Sequence, residues 1–188
     1  MVREIVLFGH KALRAKCTRV NDVDDGIREL ADDMIETMRE AHGVGLAAPQ
    51  VAVTIQLAVV DVSHDPDCIS YLRVDGTDTA LEDLMPLVFT NPEIEPAAKK
   101  VASVEGCLSF PDLQGDVPRP EAIVAKLTLL DGKTITVETD GLLARAILHE
   151  TDHLNGILFI DRMSTVSKAR LKNSIKQLQA ESIRAKRR

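Results

Sequence analysis

Cysteine is scarce in this 188-residue chain: only Cys17, Cys68 and Cys107 occur, and they lie far apart. An odd, dispersed set excludes a disulfide framework. In a reducing compartment such residues act as buried hydrophobes, nucleophiles or metal ligands. Also lacking is any apolar run near the roughly 18 residues that a membrane-spanning helix requires. The opening "MVREIVLFGHKALR" is broken by charge and has neither an h-region nor a small-residue cleavage site, so a cytoplasmic location is expected, with no membrane partner. No internal repeat or low-complexity segment is present. What remains is an ordinary globular composition, 45% hydrophobic and 28% charged. The length suits one domain with a sizeable core better than two.

The net charge of −6 argues against general nucleic-acid binding, and no sequence-specific nucleic-acid partner is expected, but the charge is unevenly spread. Residues 168–188 hold eight Lys or Arg against one acid, Glu181, a local +7 that leaves −13 for the rest. On charge alone, such a run reads as a solvated helix surface.

Apolar spacing predicts a helix over 25–42, with Ile27, Leu30, Met34 and Met38 on one face. "GVGLAAPQ", Gly43 to Gln50, follows as a loop, and "IQLAVVDV" from Ile55 as a buried strand. Residues 63–86 mix Asp, Pro, Gly and Ser with few periodic apolar positions, which suggests a surface insertion within the domain. Short strands are expected at "LVFTNPEI" and "KKVASVEGCLSFP", the latter entering a turn at Pro111. A hairpin joined at "DG" is expected across "AIVAKLTLLDGKTITVET". Asp140 then caps "GLLARAILHETDHLN", a helix ending at Gly156, and Ser164 caps a last helix carrying the basic run. A β-rich middle followed by helices predicts an α+β domain.

Within that helix, His149 and His153 are one turn apart and share a face with Leu142 and Ala146, so both imidazoles point inward. Two neutral imidazoles directed into an apolar interior suit a transition metal. Glu150 lies at the edge of the face, placed to reach a water beside the metal without ligating it; this is the H-E-x-x-H geometry of two ligands and a base. The competing explanation is a satisfied core histidine. A catalytic site also needs a third protein ligand, and a histidine, a carboxylate or a cysteine would serve. His10, His42 and His64 stand outside any ligand-like pattern. Cys107 ends a strand beside Gly106 and fits either a ligand or a buried hydrophobe.

Three separated motifs, "GVGLAAPQ" at 43–50, "EGCLS" at 105–109 and "HETDH" at 149–153, together resemble the peptide deformylases, which remove the N-formyl group from nascent polypeptides. The similarity runs from about Glu4 to Ser164. It implies a single catalytic domain over 1–167 with mixed or antiparallel sheets around a central metal-binding helix, and a basic helical extension at 168–188. Cys107, His149 and His153 are then the metal ligands and Glu150 the general base, with Gln50 and the Leu108 backbone N–H as donors to the formyl oxygen. One Fe²⁺ per chain is implied, with Zn²⁺, Ni²⁺ or Co²⁺ able to substitute. Substrates are N-formyl-methionyl nascent peptides, whose backbone would lie against Val44 and Gly45 as an added strand. The same glycines suggest a phosphate loop, yet the Lys-Ser/Thr of a P-loop is lacking. The basic extension would dock on ribosomal RNA by phosphate neutralisation.

Three positions depart from the family pattern. Leu148 replaces a glutamine commonly found before the first histidine. Arg145 stands where relatives often have an aliphatic residue of the methionine pocket, so either its stem lines that pocket or its charge alters preference. Gln114 stands where some relatives have an arginine that grips the substrate backbone. Arg119 and Asp152 are expected to form a supporting ion pair. Two other functions compete: a zinc peptidase, which shares H-E-x-x-H but not the cysteine, and a silent relative that binds without turnover.

Overall fold

The computed structural model describes all residues except 66, 67, 69 and 186–188, so the last three positions of the basic run lie outside the described residues. The first helix, α1 (Asp25–Glu40), opens on Asp24, whose Oδ1 accepts the Ile27 N–H at 2.8 Å and so satisfies an otherwise orphaned donor. It ends two residues short of the expected limit, and His42 adopts a left-handed conformation with φ 54°. Leu30, Met34 and Met38 bury its apolar face.

Seven antiparallel strands form the main sheet in the order β1-β2-β5-β8-β9-β3-β4. They are β1 (Gly45–Ala47), β2 (Leu57–Val60), β3 (Leu72–Val74), β4 (Thr77–Asp78), β5 (Leu87–Pro96), β8 (Ala122–Thr128) and β9 (Thr134–Asp140). The fold is α+β with antiparallel sheets, as expected. The "DG" hairpin pairs β8 and β9 over seven residues. Part of "GVGLAAPQ" is strand rather than loop: β1 pairs with β2 at Gly45–Val60 and lies at the sheet edge. Three buried residues are too few to display any periodicity.

Part of the 63–86 segment is integral to the sheet, because β3 pairs with β9 and Leu72 is buried; a short helix, α2 (Leu81–Leu84), completes it. The segment also supplies a helix cap. Asp140 stands at the N-cap of α3 (Gly141–Leu154), but its Oδ1 accepts the Tyr71 N–H at 3.0 Å. The Ser70 hydroxyl instead accepts the Leu143 N–H at 3.2 Å. A cap from seventy residues away has no local signature.

A second, two-stranded sheet pairs β6 (Lys100–Gly106) with β7 (Gln114–Pro120). Sequence patterning misses β7, "QGDVPRP", because proline cannot donate to a ladder and normally argues against a strand. In a two-stranded ribbon one side of β7 has no strand partner, so Pro118 and Pro120 are accommodated there.

Helix α3 lies across this framework. Leu143, Ala144 and Ile147 pack with Ala58, Val60, Phe89 and Val137 in the main core. A second cluster joins Phe110 to Phe159 edge-on at 5.1 Å and to Phe8 in a stack at 4.8 Å. After α4 (Phe159–Arg162), Ser164 Oγ accepts the Ser167 N–H at 3.2 Å at the start of α5 (Thr165–Ala185), as its sequence suggests. Leu171, Ile175 and Leu178 dock α5 on the second cluster, turning Lys168, Arg170, Lys172 and Lys176 to the surface. None of the described helices is long and apolar enough to cross a membrane.

Cys17 is buried among apolar side chains, and burial pushes its pKa up from 9.0 to about 11. Burial favours the neutral thiol, so this contribution to stability holds below pH 9 and is lost as pH rises towards 11. In native protein at pH 8, Cys17 is therefore expected to resist iodoacetamide that labels it fully in denaturant. Peptide mapping of the alkylated sites checks this.

Candidate metal centre

Two elements bring the donors together. Helix α3 projects His149 and His153 from one face, with ring centroids 4.9 Å apart. The end of β6 delivers Cys107, whose Sγ lies 3.3 Å from His153 Nε2. One ligand atom from each of Cys107, His149 and His153 falls within 4.8 Å of the others. A thiolate with two imidazoles is a set suited to Zn²⁺, Fe²⁺ or a related transition metal. The surroundings fit such an ion. Glu150 Oε2 is buried beside these donors and has no hydrogen-bond partner among the described residues, which a polar occupant would relieve.

The sequence reading missed Glu105 as a functional residue, although it is the first letter of "EGCLS". Its buried carboxylate is the hub of the site. It accepts Arg119 Nε at 2.8 Å, Arg119 Nη2 at 3.0 Å and Arg145 Nη1 at 2.6 Å, and its Oε2 lies 3.2 Å from His149 Nδ1. That contact leaves His149 Nε2 directed at the donors and fixes the ring, as carboxylates behind ligating histidines do. Burial would raise the Glu105 pKa, but His149 and Arg119 outweigh it and hold the group down at about 2. For His149, burial opposes the charge, whereas Cys107 and Glu105 raise its pKa to about 10. Ligation would therefore displace a proton, as metal uptake at thiolate–imidazole sites commonly does. His153 is driven the other way, well below its usual range, by burial and by the nearby His149 charge.

The expected pair of Arg119 and Asp152 is present: Nη1 donates to Asp152 Oδ2 at 2.5 Å, both side chains are buried, and Arg162 Nη2 donates to Oδ1 at 2.8 Å. Leu148 packs against the main core and is not among the clustered donors.

Glu150 is buried at the same place, and burial raises its pKa to about 7. Its carboxylate lies against β1. A methyl group at Gly45 would meet Glu150 Oε1 at 2.3 Å and Cδ at 2.9 Å. The glycine thus makes room for a carboxylate, in addition to any substrate backbone. Gly45→Ala is expected to displace Glu150 and lower turnover roughly 100-fold while metal content is retained. Steady-state kinetics beside metal analysis distinguishes this from loss of the ion.

Gln50 is held by Ala47 N–H donating to its Oε1 at 2.8 Å. Its Nε2 therefore faces the site, 3.5 Å from Cys107 Sγ and 3.3 Å from Ser109 Oγ. A cleft of about 720 Å³ joins these groups; Val44, Gly45, Gln50, Leu108, Gln114 and Arg145 are in its lining. One wall is the edge strand β1. Arg145 belongs to the cleft lining, and its guanidinium turns to Glu105 and the second sheet.

Three convergent donors, a buried carboxylate whose pKa burial raises to about 7 and a cleft bounded by a strand edge are the parts that a metal-dependent hydrolase requires. The sequence model of the Polypeptide deformylase family matches residues 2–169, and the chain belongs to that family. It is 42% identical over 180 residues to a peptide deformylase of Opitutus terrae, covering 95% of this chain and 93% of that one. It is also 42% identical over 163 residues to peptide deformylase 1 of Clostridium acetobutylicum, covering 87% and 95%. Among solved structures, a Synechococcus elongatus peptide deformylase in complex with actinonin superposes with TM-score 0.75 at 35% identity, covering 95% of this chain and 86% of that chain. A Plasmodium falciparum peptide deformylase gives TM-score 0.80 at 30% identity, covering 94% and 95%. The reaction is hydrolytic removal of the N-formyl group from nascent peptides.

Proposed function

We propose that Cys107, His149 and His153 hold one divalent ion per chain, Fe²⁺ in the cell with Zn²⁺, Ni²⁺ or Co²⁺ able to substitute, and that Glu150 is the general base. The observation that carries this reading is the convergence of those three donors beside a buried carboxylate. A metal of this class supplies Lewis acidity, polarising a carbonyl and making water acidic near neutral pH.

The chain's own groups account for the remainder. Glu150 takes the proton of the attacking water and passes it to the departing amine, so one water and one formamide become formate and a free N terminus. A carboxyl pKa of about 7 suits a group that must both accept and release that proton at neutral pH. Gln50 Nε2 and the Leu108 amide stabilise the negative oxygen that develops on the formyl group, each such donor contributing about 3 kcal/mol in the transition state. The substrate backbone extends along Val44 and Gly45 as a strand added to β1, with the first side chain entering the cleft past the Arg145 stem. The peptidase alternative lacks support in Cys107, and the silent-relative alternative lacks support in an intact Glu150. Formate released from a formyl-Met-Ala-Ser peptide by anaerobically prepared Fe²⁺ enzyme, with no internal bond cut, is the expected result. Internal cleavage would reverse the choice.

We further propose that the enzyme works in the cytoplasm and that the exposed basic face of α5, with residues 168–188, docks on ribosomal RNA. Truncation after Ser167 should weaken co-sedimentation with ribosomes, most visibly at low salt. Equal binding by the truncated and full-length proteins would sink the docking idea.

A further inference from the structure

Arg145 makes contacts that no role in substrate binding requires. Its Nη1 donates to Glu105 Oε1 at 2.6 Å and to the Val117 carbonyl at 3.0 Å, and its Nη2 donates to the Val101 carbonyl at 2.9 Å. Val101 lies on β6 and Val117 on β7, so one guanidinium ties both strands of the ribbon to α3. It sits one turn before His149 on the helix, and Glu105 sits two residues before Cys107 on the strand. On the other side of His149, Arg119 fastens the same ribbon to Asp152. The ribbon that carries the thiol is therefore latched to the helix that carries both imidazoles at two points, Arg145 and Asp152, that bracket His149.

Resting on the assignment of those donors as a metal centre, we infer that Arg145 is a positioning residue. It sets the approach of Cys107 to His149 and His153, and thereby metal affinity and ligand geometry. A lysine cannot reproduce the arrangement, since its single ammonium cannot span two carbonyls and a carboxylate with the planar fork that arginine provides. An aliphatic residue would keep the cleft wall and lose the latch. The positive charge is bound to Glu105 and does not select acidic substrate side chains.

The test is anaerobic Co²⁺ titration of the full-length protein, following the thiolate-to-cobalt absorption, for wild type, Arg145→Met and Arg145→Lys. Arg145→Met is expected to bind about 10- to 100-fold more weakly, with a diminished or shifted thiolate band, and Arg145→Lys to recover part of both. A purely structural role would lower the melting temperature of the metal-free variant and leave affinity and band unchanged, which overturns the inference. A changed side-chain preference with intact Co²⁺ binding overturns it too. Should Arg145→Met fail to melt cooperatively, Arg145→Lys carries the test: weaker binding supports the inference and unchanged binding refutes it. Wild type that shows no thiolate band would instead refute the metal centre itself, a separate failure.

Discussion

Glu150→Ala is expected to lower formate release from a formyl-methionyl peptide by at least the roughly 100- to 10,000-fold typical of a lost general acid–base group. The effect should appear in kcat rather than KM, because in the proposed role the carboxylate acts on the proton in flight and is not needed to hold the peptide. Structure and metal content should survive. The carboxylate forms no hydrogen bond through Oε2, and its removal leaves Cys107, His149 and His153 untouched. Truncation also removes a buried carboxyl whose pKa burial has raised, so the folded protein should be no less stable. Glu150→Gln separates shape from proton transfer: it fills the space beside Gly45 yet cannot serve as a base. Its turnover should match that of the alanine variant. If either variant retained more than a tenth of wild-type kcat, Glu150 would not be the base.

The second large effect is on folding. Arg119→Ala is expected to cost about 3–5 kcal/mol, because it strands Glu105 and Asp152 as buried carboxylates without their principal partner. For a chain of this size that is a fall of roughly 10 °C in melting temperature. Denaturant titration should show a lower midpoint with an unchanged slope. The variant should also bind metal less tightly, since Glu105 orients His149. A pH signature accompanies this. The Glu105 carboxyl is held at about 2 in the folded protein against 4.5 for the unfolded group. Its stabilising contribution is therefore fully present above pH 4.5 and is lost as pH falls towards 2. Wild type should lose stability across that window more steeply than Arg119→Ala, where the carboxylate is less strongly held. An unchanged midpoint and metal affinity would show the network to be dispensable.

How much of this was legible in the sequence depended on whether the determining contact was local. The α3 face is set by spacing alone: His149 and His153 recur at one turn, Leu143 and Ile147 bury the adjoining side, and Gly156, with φ 71°, ends the segment. The β8–β9 hairpin and the Asp24 end of α1 are similarly written into neighbouring residues. Cys107 as the proposed third ligand was not legible from spacing, because its partners are more than forty residues away. It came only from the resemblance carried by "EGCLS". Glu105 was missed for a similar reason: the β6–β7 pairing brings Arg119 to it, and the ribbon packing on α3 brings Arg145 and His149. The proline-containing β7 and the Ser70 cap were hidden too, the first by its own composition and the second by a long chain separation. Arg145, read in sequence as a disturbance of a side-chain pocket, is joined in space to Glu105 and two strands.

The claim that three residues hold the reactive ion is tested most directly by stripping the anaerobic enzyme with a chelator and titrating Fe²⁺ back while following formate release. Activity should vanish on stripping and return in proportion to added metal, saturating at one ion per chain, with Cys107→Ser failing to recover at the same concentrations. Full turnover by metal-free enzyme, or recovery by Cys107→Ser indistinguishable from wild type, would contradict the account.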